Sequence, residues 1–479
     1  MKIISIETMR RLEQEAIRAG ITEKNLIHSA SQGIAKILMR YFPIAEYSNH
    51  TFYFFCGGGN NGNDGRETAK ILSEKGYKIH VINANEGAQD FEILAPCVLV
   101  DAILGIGARP GLAGNYLKHI QKFFLASKYP IVAIDVPTGI TGDEAHVDPF
   151  AIKADITISC GFPKLTLFHD SVINHVGRIE VAPLPFPQSS TDWLEPFPEW
   201  IDASWVAERL IERSRDTHKY KCGHVHLFAG NVGTIGAAEL MCQGALASGV
   251  GLVTLWVRPE IYSILATRLP PEIMVRPLQS LSDCISTVEE RADSFGIGPG
   301  LGIDNWSESI VQHLLDLSIP SLFDADALTI IGHKKWLSHL SPQSIVTPHM
   351  GEIKSLLNFT DLSRIEMATA FCDSSRAVLL LKGPHTLVKQ KDDPISISYN
   401  STGNQGLAKA GTGDVLAGVC SGLLAQGYPT NAAARIAAYI HGAAADTLSN
   451  LHGIIGWTAS DLARQIAREW RQLQFKKIY

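Results

Sequence analysis

The chain has 479 residues, 46% of them hydrophobic and 19% charged, with a formal net charge of −6. That length exceeds what one hydrophobic core organises, so two or three domains are expected. The mild acidic balance leaves no electrostatic footprint for nucleic acid or an anionic membrane surface, and neither partner is expected. No apolar run is long enough to span a bilayer: Ala377-Val378-Leu379-Leu380-Leu381 is stopped by Lys382, and Glu7 interrupts the N-terminal stretch before a signal-peptide core forms. The eight cysteines contain no Cys-x-x-Cys pair, which argues against a zinc site or a disulfide framework and for a cytoplasmic protein.

The first third of the chain alternates short β-branched runs with stretches of helical period. Strands are expected at Thr51–Cys56, Ile79–Asn83, Val98–Asp101, Ile131–Asp135, Ile156–Cys160 and Ile179–Ala182. This alternation predicts a parallel sheet covered by helices on both faces, with ligands at the carboxyl ends of its strands. Gly57-Gly58-Gly59-Asn60-Asn61-Gly62-Asn63-Asp64-Gly65 follows the first strand, with the glycine spacing of a dinucleotide-binding loop. The next strand ends Val81-Ile82-Asn83, without the carboxylate that grips a ribose, so a conventional hydride-transfer domain is disfavoured. An Asp64 that caps the following helix is the plainer alternative for this loop. Two more strand ends carry aspartates, in Asp101-Ala102-Ile103-Leu104-Gly105-Ile106-Gly107 and in Asp135-Val136-Pro137-Thr138-Gly139. Asp101, the Asn61 amide oxygen and the Thr138 hydroxyl are hard oxygen donors with few counter-charges, a set better suited to a weakly charged cation than to zinc.

Pro183, Pro185, Pro187, Pro196 and Pro198 then stop both kinds of regular structure. The expected organisation is a first domain over 1–190, a linker over 191–210 and a second domain over 211–479. The second region opens with a strand at His224–Ala229, a glycine-spaced helix at Gly236–Ser248 and a strand at Leu252–Val257. Further strands are expected near Phe295–Ile297, Ser321–Asp324, Ser344–Thr347 and Ala377–Lys382, followed by a mainly helical last hundred residues. Asp324 and Asp326, two apart on an extended segment, would face one side and call for a nearby cation or water. In Gly411-Thr412-Gly413-Asp414, amide N–H groups can close on a phosphate at a helix start, with an aspartate at the edge to take a proton from an attacking hydroxyl. An N-capping Asp414 is the alternative. Lys382-Gly383 ends an apolar strand where a cation can face that phosphate, and no Walker A sequence occurs.

The run Gly57–Gly65 with the Asp101 and Asp135 loops resembles the N-terminal domain of the NAD(P)H-hydrate epimerases. That resemblance implies a Rossmann-like three-layer α/β/α domain in which Asn60, Asn61, Gly62, Asn63 and Asp64, with Gly105, Ile106, Gly107, Ala108, Arg109, Pro110 and Gly111, bind hydrated NADH or NADPH. Asp135 would be catalytic, and Asn61, Asp101 and Thr138 would hold potassium. Asn63 stands where the family carries glycine and Thr138 where it carries serine; asparagine tolerates left-handed angles and threonine keeps the hydroxyl. The segments 223–251, Gly298–Gly302, Asp324–Leu328, Thr347–Glu352, Lys382–Thr386 and Asn400–Gly418 are similar to the ADP- or ATP-dependent NAD(P)H-hydrate dehydratases, a branch of the ribokinase-like α/β fold. This second resemblance implies Asp414 as catalytic base. It implies Lys382, Gly383, Pro384, His385, Thr386 and Gly413 against the adenine nucleotide with its magnesium, and Ala237, Gly300 and His349 against the hydrated dinucleotide. Ala410 stands where relatives have glycine. Together the halves imply a bifunctional repair enzyme, expected as a homo-oligomer, acting on small molecules. A ribokinase-like small-molecule kinase fused to a non-catalytic nucleotide- or partner-binding domain is the alternative.

Overall fold

The computed structural model describes residues 1–86, 92–112, 114–126, 128–187 and 197–478. The chain forms two compact units, Met1–Trp200 and Ile201–Tyr479. In the first, β1 (Thr51–Cys56), β2 (Lys78–Asn83), β3 (Cys97–Ala102) and β4 (Ile131–Ile134) precede a small hairpin, β5 (Ile140–Thr141) and β6 (His146–Val147), and then β7 (Ile156–Cys160) and β8 (Arg178–Ala182). Six of these form one sheet in the order β2-β1-β3-β4-β7-β8, parallel throughout.

Strand β1 shows why the sheet is covered on both faces. Successive side chains on a strand point to opposite sides, so a run buried at every position from Phe52 to Cys56 needs cover on each. Phe52 and Phe54 enter a buried cluster with Ile34 and Leu38 of the helix Glu23–Tyr41 and Leu72 of the helix Asn60–Glu74. Tyr53 and Phe55 enter a second cluster with Ile120 and Phe123 of the helix Asn115–Leu125. The result is the three-layer arrangement expected for this half.

Residues 191–196 of the expected linker lie outside the described residues. A two-residue strand, β9 (Glu199–Trp200), ends the first unit. Residues 203–209, within the stretch read as linker, form the helix Ala203–Arg209, capped by Asp202, whose Oδ1 accepts from the Trp205 amide at 2.8 Å. Trp205 and Val206 belong to the hydrophobic core of the second unit.

The second unit contributes β10 (His224–Phe228), β11 (Leu252–Val257), β12 (Ile273–Pro277), β13 (Ser294–Ile297), β14 (Ser321–Phe323), β15 (Ser344–Val346), β16 (Val378–Leu381), β17 (Thr386–Lys389) and β18 (Ser398–Asn400). They follow the order β12-β11-β10-β13-β14-β15-β16-β17-β18. Pairing is parallel as far as β16 and antiparallel beyond it. The sequence patterns do not mark β12, whose burial is broken by exposed Met274 and Arg276, nor the short β17 and β18. Three helices, Thr412–Ala425, Thr430–His452 and Ala459–Ile478, make up most of the C-terminal end. Among the described residues, no helix is long and apolar enough to cross a membrane.

The helix Ile235–Ala247 and the helix Thr412–Ala425 lie unusually close. Leu240 lies against Gly411, Gly244 against Val415 and Ala245 against Gly418, so the two run parallel and open their N-termini at one edge. A Cβ on Gly244 would stand 2.2 Å from the Val415 carbonyl oxygen, and one on Gly418 would stand 1.9 Å from that of Met241. The space admits hydrogen and nothing larger. Gly418→Ala is therefore expected to force the helices apart and destabilise the second unit by about 1–3 kcal/mol, as overpacked cores do. Urea unfolding followed by near-UV circular dichroism should show this as a lower midpoint for the second unit, with the first unit's transition unmoved.

Candidate active sites

The first site lies where β1, β3 and β4 end. Their register sets Cys56 beside Ala102 and Asp101 beside Ala133, so three loops emerge together. Asp101 is completely buried. Its Oδ1 accepts from the Thr138 hydroxyl at 2.7 Å and the Ile103 amide at 3.1 Å, and its Oδ2 accepts from the Thr138 amide at 2.8 Å. Burial lifts its pKa to about 6, against the downward pull of those hydrogen bonds. Thr138 Oγ1 also accepts from the Leu104 amide at 3.0 Å. One residue further, a Cβ on Gly105 would stand 3.2 Å from Asn61 Cγ and 3.0 Å from Asp135 Oδ2. The Asn61 amide oxygen and nitrogen are both buried without a hydrogen-bond partner. The three oxygen donors singled out in the sequence therefore converge on residues 103–105.

Asp135 follows β4 with φ of 69°, a left-handed angle for a non-glycine residue. Its Oδ2 accepts from the Ile106 amide at 3.2 Å, and its Oδ1 lies 2.5 Å from the Lys164 ammonium. Lys164 is fully buried and donates also to the Cys160 carbonyl at 2.5 Å. Sequence reasoning missed it. The only signal is Gly161-Phe162-Pro163-Lys164 directly after a buried strand, and a lysine after a strand reads as a surface residue until tertiary contacts enclose it. Asp64 and Glu13 lie within electrostatic reach of the same pair. Burial, then Asp135 and Glu13, raise the Asp64 pKa to about 8 against the opposing Lys164, and burial raises that of Glu13.

The other loop residues are distributed around this centre. The helix after β1 starts at Asn60 with Gly59 as its cap, so Asp64 lies inside the helix and caps nothing. Asn63 is helical as well, and the left-handed tolerance of asparagine goes unused. A Cβ on Gly62 would stand 1.9 Å from the Gly57 carbonyl oxygen, so this turn requires glycine. Asn60 donates to Glu23 at 2.9 Å, and Asn63 accepts from Arg66 at 3.2 Å. The Ile106 carbonyl accepts from Arg10 at 2.9 Å, while Ala108, Arg109, Pro110 and Gly111 line a shallow cleft with Gly139 and Asp148.

The second site lies at the edge where the two close-packed helices begin. Gly411, at φ of 89°, precedes Thr412–Ala425, and Asp414 stands in the first turn of that helix. The left-handed residue is Gly411; Ala410 is exposed and takes no such angle, so the loop accommodates alanine there. Lys409 anchors the loop, donating to the Trp457 carbonyl at 2.6 Å with its ammonium 4.3 Å from the indole centre. The Lys382 amine stands 3.6 Å from where a Cβ on Gly413 would be, 2.9 Å from Asp324 Oδ1 and 3.7 Å from Glu352 Oε2. Burial works against the charge on Lys382, yet Asp324, Glu352 and Asp414 outweigh it and raise its pKa. Burial, then Asp324 and Asp326, lift the Asp414 pKa to about 6, with Lys382 opposing.

Asp324 and Asp326 do not share an extended segment. Asp324 precedes the helix Ala325–Lys334, Ala325 has φ of 47° and Asp326 lies in the first helical turn. The two carboxylates part, Asp324 to Lys382 and Asp326 to the Gly302 amide at 2.8 Å. The cation expected near Asp324 is the Lys382 ammonium. Gly300 meets Ala237, since a Cβ on it would stand 2.9 Å from the Ala237 Cβ. His349 caps the helix Met350–Leu357, its Nδ1 accepting from the amides of Gly351 at 2.9 Å and Glu352 at 3.1 Å, and its backbone bridges to Lys382. The Gly383–Thr386 turn is held by Arg364, which donates to the carbonyls of Pro384 at 2.5 Å and His385 at 3.3 Å. Thr386 Oγ1 donates to the Gly383 carbonyl at 3.0 Å, and burial followed by Arg364 lowers the His385 pKa to about 4. Chemically, this edge offers helix N-termini and an ammonium for an anion, with a carboxylate alongside to receive a proton.

Fold and sites together define a chain of two fused α/β units, the second ribokinase-like. A ribokinase-like superfamily protein from Enterococcus faecalis superimposes with a TM-score of 0.53 at 25% identity, covering 58% of this chain and 96% of its own. The ADP/ATP-dependent NAD(P)H-hydrate dehydratase of Bacillus subtilis, co-crystallised with ATP and Mg2+, superimposes with a TM-score of 0.51 at 28% identity, covering 58% of this chain and 99% of its own. The NAD(P)H-hydrate dehydratase family model matches residues 225–468, and the model of the YjeF-related protein N-terminus matches residues 23–93 and 82–166. The bifunctional NAD(P)H-hydrate repair enzyme Nnr of Coxiella burnetii is 31% identical over 95% of this chain and 96% of its own. The chain belongs to the family of bifunctional NAD(P)H-hydrate repair enzymes.

Asp64 carries a test of the first site's electrostatics. A carboxyl whose folded pKa is raised stabilises the fold below its unfolded value, and that contribution is lost as pH rises through the folded value. The window here runs from about 4, the ordinary aspartate value, to about 8. Asp64→Asn cannot ionise in either state. Urea midpoints of the first unit should therefore fall with pH across this window in the wild type relative to the variant, and parallel profiles would contradict the assigned shift.

Proposed function

We propose that the first unit interconverts the R and S forms of hydrated NADH and NADPH, and that the second dehydrates the S form with consumption of ADP or ATP. The observation that supports this best is the meeting of Asp414 and Lys382 at a helix N-terminus, across a glycine that leaves room between them. Lys382, the turn Gly383–Thr386 and Gly413 receive the adenine nucleotide. Ala237 and Gly300, which touch, and His349, bridged to Lys382, line the dinucleotide side. Asp414 takes the proton of the hydroxyl on the hydrated ring carbon as that oxygen attacks the terminal phosphoryl group, whose phosphoanhydride bond breaks to release AMP from ADP or ADP from ATP. Phosphate then leaves with a proton from the adjacent carbon, and the ring double bond returns. Such a transfer relies on positioning and charge more than on covalent catalysis. Magnesium, entering with the nucleotide, would neutralise phosphate charge, and Asp324, Asp326 and Asp414 are oxygen donors of the type it takes.

In the first unit Asp135, whose Oδ2 lies beside Gly105, moves a proton at the reacting end of the substrate. Asn61, Asp101 and Thr138 would hold potassium, and the unpartnered buried Asn61 oxygen fits that use. The ion would supply a fixed positive charge beside the loop.

Mixed R and S NADHX with ADP or ATP, followed by recovery of nicotinamide absorbance, tests both halves. Complete recovery is expected. Asp414→Asn should lower recovery by about 10²-fold or more while epimer exchange continues; Asp135→Asn should leave only the S share recoverable. Below about 6, the dehydratase kcat/KM should fall as Asp414 takes up its proton. A stable phosphorylated product with either nucleotide would replace this reading with that of a kinase.

A further inference from the structure

We infer that Lys164 is a positioning residue of the first-unit reaction: its buried ammonium holds one oxygen of Asp135 so that the other faces the Gly105–Gly107 loop. The inference rests on the epimerase reading above and names a group which that reading does not include.

The geometry separates the two carboxylate oxygens. Oδ1 is bound to Lys164 at 2.5 Å, while Oδ2, among the described residues, accepts from the Ile106 amide at 3.2 Å and looks toward Gly105. Lys164 cannot itself reach a ligand, because it is fully buried and its second hydrogen bond goes to the Cys160 carbonyl. Its backbone is fixed as well: Ile4 and Lys164 form a parallel bridge, and the Leu165 amide donates to the Ile4 carbonyl at 2.9 Å. The ammonium is therefore held from its main chain to its tip.

Two further observations favour a site over an ordinary buried ion pair. Asp135 sits at a left-handed angle, and such strain persists where surrounding structure enforces it and gathers at functional positions. The Cys160 amide also points at Asp135 Oδ1, at 3.5 Å, so the contacts from the Cys160–Lys164 segment gather on that one oxygen and leave Oδ2 to the loop. A buried pair kept for packing alone is often replaceable by apolar groups at little or no loss of stability. A carboxylate that must keep one oxygen free and directed is not replaceable in that way.

The test uses the full-length protein and Lys164→Met, Lys164→Gln and Lys164→Arg. Epimer exchange is measured from R-NADHX, and dehydration of S-NADHX on the same chain reports the amount of intact protein. The two neutral variants should lose about 10²-fold in kcat for exchange, with KM changed by no more than a few-fold and dehydration unaltered. Lys164→Arg should recover part of the loss by restoring the charge. Wild-type kcat in either neutral variant would overturn the proposal. So would loss that tracks only the unfolded fraction of the first unit, or failure of both neutral variants to fold, because the lysine would then be a core counter-ion and nothing more. If the wild type itself fails to exchange epimers, the epimerase reading falls instead, and the two failures are distinguishable.

Discussion

Both sites depend on places where one backbone approaches another more closely than any side chain allows. In the second unit, Gly244 and Gly418 let two parallel helices touch main chain to main chain, which sets Ala237 and Asp414 at one edge. In the first, a Cβ on Gly57 would stand 1.9 Å from the Ile103 carbonyl oxygen, and Gly62 lies as close to Gly57. These contacts draw the strand-end loops together until Asn61, Asp101, Asp135 and Thr138 surround a few residues. Glycine acts here by leaving space, in addition to permitting left-handed turns. The polar groups reach each other because nothing intervenes.

The two units then use that proximity differently. In the first, burial dominates: Asp101 and Asp64 are lifted well above ordinary carboxyl values, and one enclosed lysine answers Asp135. In the second, a partly open lysine is shared among Asp324, Glu352 and Asp414, which leaves Asp414 ionised at neutral pH but with an elevated affinity for protons. A base of that kind can accept a proton and release it. One arrangement suits proton movement within a buried cluster, and the other suits phosphoryl transfer beside an anion at a helix start.

Much of this was legible in the residues. The alternation of strands and helices, the strand-end positions of Asp101 and Asp135 and the anion loop at Gly411 follow from period and punctuation, which are local properties. Asp324 and Asp326 misled because a two-residue spacing has the same meaning only while the segment stays extended. Here the chain turns left-handed at Ala325 and enters a helix, sending each carboxylate to a different partner. The same limit applies to Asn63 and Ala410, whose departures from the family pattern fall at positions where no left-handed angle is required.

The architecture of each half and the chemical character of the strand-end loops follow from local sequence, because burial patterns and turn residues act over a few positions. Tertiary structure alone decided which charges face one another. Lys164 lies twenty-nine residues beyond Asp135 and Lys382 fifty-eight beyond Asp324, and only the sheet register and the close-packed helices bring each ammonium to its carboxylate. The energetics of a buried charge depend on what encloses it, and enclosure is a property of the folded molecule.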